Sequence, residues 1–189
     1  MVVLIACEES QTSCIAFRDR GIECYSSDVK PCSGGHPEWH IQGDVLKILH
    51  QPWDLIIAHP PCTFLSRACP GGIHRPERFD SIQAARSFFY EFYNLDCKAI
   101  AIENPVPFRG LLPSPTQIVE PYYFGDPYTK KTCLWLRGVP ELYATNIVKP
   151  IGSWVNLHSS PTIRSKSFPG LSAAFADQWG LGFCQKSFF

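Results

Sequence analysis

Apolar and polar positions fall into blocks along the first half of the chain. Val2-Val3-Leu4-Ile5-Ala6 is a short, continuous, largely β-branched run, the pattern of a strand buried on both faces. Residues 10–20 place Cys14, Ile15 and Phe17 at helical spacing and stop at Gly21, which predicts a helix. Residues 22–27 read as a second strand ending at Asp28. A Pro- and Gly-rich loop over 30–42 leads to a short helical piece at 45–50. Residues 54–58 form another apolar strand, halted by Pro60-Pro61. Over 81–95, Ile82, Ala85, Phe88, Phe89, Phe92 and Leu95 share one face of an amphipathic helix. A further strand at 98–102 ends before Pro105.

Strands alternating with helices at this spacing predict an α/β fold: a mostly parallel, Rossmann-like sheet with right-handed crossovers and helices on both faces. Beyond Pro107 the chain turns proline- and aromatic-rich, with a strand expected at 132–136, irregular chain over 140–161 and a closing helix at 171–179. Neither an internal repeat nor a low-complexity tract divides it, so residues 1–189 read as a single domain. In open parallel sheets, ligands are held just beyond the carboxyl ends of the strands. Here those positions carry Cys7-Glu8-Glu9, Asp28, Asp44, His59 to Cys62, and Glu103-Asn104. Polar or reactive side chains at every strand end are the pattern of an active-site edge.

Charge and cysteine usage narrow the partners. Seventeen Lys and Arg balance seventeen Asp and Glu, which argues against a strong non-specific DNA binder built on many phosphate contacts. The first apolar run is too short for a signal sequence, and no run is long enough to span a membrane, so a cytosolic protein is expected. The nine cysteines are scattered and form no C-x-x-C pair, which indicates neither a disulfide framework nor a redox motif. Cys32, His36 and His40 recur every four residues but lie in the Pro/Gly loop, and no metal is expected there.

Two segments carry the sharpest chemistry. Asp54-Leu55-Ile56-Ile57-Ala58-His59-Pro60-Pro61-Cys62 delivers a cysteine from a buried strand onto a rigid turn; a helix N-terminus after it would lower the thiol pKa. Ala99-Ile100-Ala101-Ile102-Glu103-Asn104-Pro105 puts a carboxylate at the end of the next strand. A nucleophile and an acid on adjacent strand ends can face one ring from two sides. These "PPC" and "ENP" segments resemble the Pro-Cys and Glu-Asn-Val motifs of the DNA cytosine 5-methyltransferases. Small phage-type members of that family are similar through much of the chain. The resemblance implies S-adenosylmethionine as cofactor, Cys62 attacking carbon 6 of cytosine, and Glu103 holding a proton on ring nitrogen 3 before methyl transfer to carbon 5. The base must then be single-stranded or flipped from a duplex.

The same resemblance implies cofactor contacts at Cys7, Glu8, Asp28, Asp44 and Pro60, with Asp28 at the ribose hydroxyls and Asp44, in Gly43-Asp44-Val45, at the adenine amino group. The family's glycine-rich first turn reads here Ala6-Cys7-Glu8-Glu9-Ser10-Gln11, without a glycine. Substrate contacts are implied at Pro61, Ser66, Asn104, Lys130, Lys131 and Arg164. The long target-recognition region of the family is reduced to residues 141–162. DNA is the implied partner, with or without a helper protein, and the balanced charge predicts that the chain alone holds it weakly; the compartment is the host cytoplasm if the gene is a phage's. A free pyrimidine nucleotide as substrate, or a degenerate methyltransferase fold that only binds a nucleotide or partner, remain as alternatives.

Overall fold

The computed structural model describes residues 1–66, 76–158 and 160–182. Its strands are β1 (Val2–Ala6), β2 (Glu23–Asp28), β3 (His40–Gln42), β4 (Leu55–Ala58), β5 (Ile100–Pro105), β6 (Gln117–Val119), β7 (Tyr128–Thr129), β8 (Thr132–Arg137) and β9 (Gly152–Ser153). The helices are α1 (Thr12–Arg18), α2 (Phe79–Tyr93), the single turns α3 (Trp154–Leu157) and α4 (Pro161–Arg164), and α5 (Pro169–Phe175). α5 continues into a wider-wound segment, Ala176–Leu181.

Seven strands form the central sheet in the order β3-β2-β1-β4-β5-β8-β6, and β7 and β9 pair separately. β1 to β5 run parallel to one another, whereas β8 is antiparallel to both β5 and β6. The α/β, mostly parallel fold read from the sequence is therefore the fold found. Strand alternation splits the core in two. Val3, Ile5, Leu55, Ile57, Ala101 and Leu134 face α1 and α5, where Phe17, Phe175 and Trp179 are buried. Leu4, Ala6, Ile56, Ala58, Ile102 and Trp135 face α2, which buries Phe89 and Phe92 against them.

The elements shift in ways that local chemistry explains. α1 begins at Thr12 rather than residue 10 because Cys7 and Gln11 adopt left-handed backbone, with φ of 62° and 59°. It stops where expected: Ile22 N–H returns to the Phe17 carbonyl and Gly21 N–H to Arg18, a left-handed helix terminus. The 30–42 loop ends in β3, which pairs with β2 through Ser26 and His40. Among the described residues, no helix is long and apolar enough to cross a membrane.

The chain leaves β1 toward β2 and β3, then crosses back to β4 and β5. The strand order therefore reverses between β1 and β4, and the crevice outside their carboxyl ends is the place such sheets hold ligands.

Candidate active site

β4 and β5 lie side by side with Ala58 opposite Ile102, so His59 and Glu103 come next on the two chains; Glu103 still lies within β5, which runs on to Pro105 by pairing with β8 instead of ending at residue 102 as expected. His59 still belongs to the sheet, donating its N–H to the Ala6 carbonyl at 2.9 Å. Pro60 and Pro61 then turn the chain. Asn104 is buried and donates its Nδ2 to the Pro60 carbonyl at 2.7 Å, which ties the turn before Cys62 to the end of β5. Leu65 and Ser66 N–H groups both return to the Cys62 carbonyl, and Phe108 N–H reaches Leu65, so the Cys62 turn is fastened on its far side too. Cys62 and Glu103 thus stand at one edge of the sheet, near enough for the Glu103 charge to reach the thiol.

Electrostatics at that edge differ from a thiol activated by a helix. A turn, not a helix, follows Cys62 over residues 63–65. Burial pushes the Cys62 thiol up, the Glu103 charge adds to the rise, and Lys130 and Ser66 oppose it. Ser66 is buried, with an Oγ that makes no hydrogen bond of good geometry. Glu103 Oε2 meets His59 Nδ1 at 3.0 Å. Burial would raise the Glu103 carboxyl, but His59 and Lys130 outweigh it, and its pKa lies below the ordinary value. A cavity with about 20 Å³ open to a water-sized sphere adjoins the pair; Lys130, Thr132, Ser165, Lys166 and Phe168 complete much of its wall. That is room for about one water.

The remaining predicted residues separate into those at the edge and those employed elsewhere. Lys130 faces Glu103 and Cys62 while its Nζ donates to the Arg164 carbonyl at 3.0 Å and lies over the Phe168 ring. Arg164 thus enters the site through its backbone. Lys131 is exposed and lines no part of the cavity. Pro61 is exposed on the turn; Asn104 keeps its Oδ1 buried without a partner. Sequence reasoning placed His59 on the ligand edge and Lys166 beside Arg164 as a basic contact, but paired neither with Glu103, and it missed Thr132 and Phe168. Alternation could have found His59, since residues 55, 57 and 59 share a face as 101 and 103 do.

At the ends of β1 and β2 a second group gathers. Burial pushes the Cys7 thiol up to about 12, with Asp28 and Asp44 contributing, so these three residues share one corner. Asp28 accepts the Lys30 N–H at 2.9 Å, and Asp44 accepts the Leu46 N–H at 3.0 Å as the cap of a short turn. Among the described residues, the second oxygen of each takes no hydrogen bond. Glu8 is employed differently, for it is buried and accepts the Ser13 and Cys14 N–H groups at 2.8 and 3.2 Å, capping α1. Gln11 ties the turn to the following loop through His36, and Gly34 packs against Gln11 so closely that an added Cβ would lie 2.6 Å from Gln11 Cβ. The close backbone approach expected of glycines in the first turn has moved to the loop facing it.

Open carboxylate oxygens suit a ligand that brings hydroxyl or amino hydrogens and positive charge. The adenosyl and sulfonium groups of S-adenosylmethionine bring all of these, so Asp28 and Asp44 fit it. His40 in the Cys32 loop is instead engaged by Ser26 and the Lys30 carbonyl, and His36 stacks on Trp39. Among the described residues, no group of three His, Cys, Asp or Glu could hold a metal.

No family model and no curated protein matches the chain. Among solved structures it is similar to an E. coli protein described as a "putative DNA modification methyltransferase encoded within prophage", with 14% identity and a TM-score of 0.47 over 85% of this chain. The chain spans 56% of that protein's length.

Proposed function

We propose that this chain is a methyltransferase acting on carbon 5 of cytosine in DNA, with Cys62 as nucleophile and Glu103 as its acidic partner. The observation that carries the reading is the fastening of the Pro-Pro-Cys turn to the end of β5 by Asn104, which sets Cys62 within the field of Glu103. Cys62 bonds to carbon 6, and a proton held by Glu103 on ring nitrogen 3 neutralises the charge that moves there. Lys130 counters the Glu103 charge at the sulfur and favours the thiolate. Asn104 Oδ1, a buried acceptor without a partner, is suited to the exocyclic amino group of cytosine. Asp28 and Asp44 would hold S-adenosylmethionine, which supplies the methyl group when bound. After carbon 5 has gained its substituent, loss of the proton there expels Cys62.

A duplex carrying 5-fluorocytosine tests the assignment, because fluorine cannot leave as a proton does. With cofactor present, the wild-type chain is expected to form an adduct that survives denaturing electrophoresis. Cys62→Ser is expected to stay folded and form none. An adduct that persists in the folded variant removes Cys62 from the chemistry.

A further inference from the structure

His59 precedes the Pro-Pro-Cys turn and has no part in the assignments above. Alternation along β4 and β5 puts His59 and Glu103 on the α5 side of the sheet, and the parallel register makes them neighbours. Their side chains are only 11% and 17% exposed, and Nδ1 lies 3.0 Å from Oε2. The other ring nitrogen, Nε2, is buried with no partner. Buried polar atoms are normally matched, so a ring nitrogen unmatched by protein beside a cavity with room for one water calls for an explanation. Both residues line the small cavity described above.

The charges around His59 come from several elements: Glu103 on β5, Glu8 after β1, Lys130 before β8, and Lys166 across the cavity. Burial disfavours the imidazolium, but Glu103 and then Glu8 outweigh burial and Lys130, and His59 titrates above its ordinary value. Glu103 titrates below its own. Both shifts favour the charged pair across the 3.0 Å contact, and a carboxylate in that state has no proton of its own to give a ring nitrogen.

We propose that His59 is a positioning residue and proton store behind Glu103, and that the proton delivered to ring nitrogen 3 leaves from His59 Nδ1. This rests on the cytosine reading above. As the Cys62 sulfur bonds to carbon 6, the electron pair of the carbon 5–carbon 6 double bond moves through the ring toward nitrogen 3. The Glu103 carboxylate takes the Nδ1 proton from the His59 imidazolium and passes that same proton to nitrogen 3. The imidazolium becomes imidazole, the carboxylate is regenerated, and ring nitrogen 3 carries the proton.

Two measurements separate the pair from the reaction. In the protein alone, histidine ¹⁵N shifts, with His59 assigned by its absence in His59→Gln, are expected to show both His59 nitrogens protonated at about pH 6.5, the ordinary midpoint. Glu103→Gln is expected to abolish that state. A neutral His59 in the wild-type chain at this pH overturns the proposal. In methyl transfer to a cytosine duplex, His59→Gln is expected to lower kcat by about a hundredfold with KM little changed. The wild-type fall in kcat on the alkaline side is expected to vanish in the variant. Unchanged kcat and an intact alkaline limb in His59→Gln overturn proton delivery while leaving the cytosine reading in place. If the wild-type chain neither transfers methyl nor forms an adduct, the cytosine reading fails and takes proton delivery with it; the ¹⁵N shifts still report whether the pair is charged.

Discussion

Cys62 sits between opposing influences, and each can be removed singly. Burial and Glu103 push its thiol up, and Lys130 pulls it down. Glu103→Gln should therefore speed alkylation of Cys62 by iodoacetamide at fixed pH, and Lys130→Met should slow it, with the site read by peptide mass spectrometry. The same Glu103→Gln should cut methyl transfer by about a hundredfold, the scale of one positioned acid. Faster alkylation with slower turnover separates the electrostatic effect from the chemical one; equal alkylation in all three proteins would show that these charges do not reach the sulfur. The His59–Glu103 contact makes its own prediction through stability. His59 is raised on folding, so its contribution is full below the unfolded value and fades as pH rises through the folded one. Glu103 is lowered, so its contribution is full above the unfolded value and fades as pH falls through the folded one. A double-mutant cycle by urea denaturation with His59→Gln and Glu103→Gln should find the largest coupling between about pH 4.3 and 6.5. Coupling that does not change with pH would mean a neutral hydrogen bond.

At the scale of elements, two helix starts decide how the site is framed. α1 is capped by Glu8, a residue outside the helix, because Gln11 at its start lies in left-handed backbone and makes no side-chain cap. Glu8→Ala strips buried N–H groups of their acceptor and should cost about 1–3 kcal/mol in urea denaturation. An unchanged midpoint would mean that water replaces the carboxylate. α5 begins against the loop after β6: Gly170 N–H donates to Asp126 at 2.9 Å, and an added Cβ there would lie 2.0 Å from the Phe124 carbonyl oxygen. Gly170→Ala should therefore lose about 1–3 kcal/mol from overpacking. Because Phe168 and Leu171 line the cavity beside Glu103, the displacement should also reach the His59 signals. The amphipathic pattern over 81–95 located α2 within two residues, since Phe89 and Phe92 can only be buried on one face. The short β6 and β9 escaped the same reasoning, because two or three residues show no period and their pairing comes from distant chain.

For the molecule as a whole, balanced charge limits the grip on nucleic acid. Lys130 is already turned toward the Arg164 carbonyl and Phe168 and so is engaged within the protein. Binding to oligonucleotides across a salt series should show a shallow slope, of about three or four phosphates at roughly 0.9 each. A steep slope with tight duplex binding would make residues 141–162 a better recognition surface than their length implies. The local order of apolar and polar residues by itself determined the alternation of strands and helices, the parallel character of β1 to β5, the helix stop at Gly21, and the placing of Cys62 just beyond β4. These follow from side-chain period and from the backbone limits of Gly and Pro, which act over a few residues. The antiparallel insertion of β8 beside β5, the use of Glu8 as a helix cap, the transfer of close approach from the first turn to Gly34, and the meeting of His59 with Glu103 were decided only by tertiary structure. Each depends on which strand or loop lies next to which. That choice is made by pairing between residues far apart in the chain, where no local pattern records the partner.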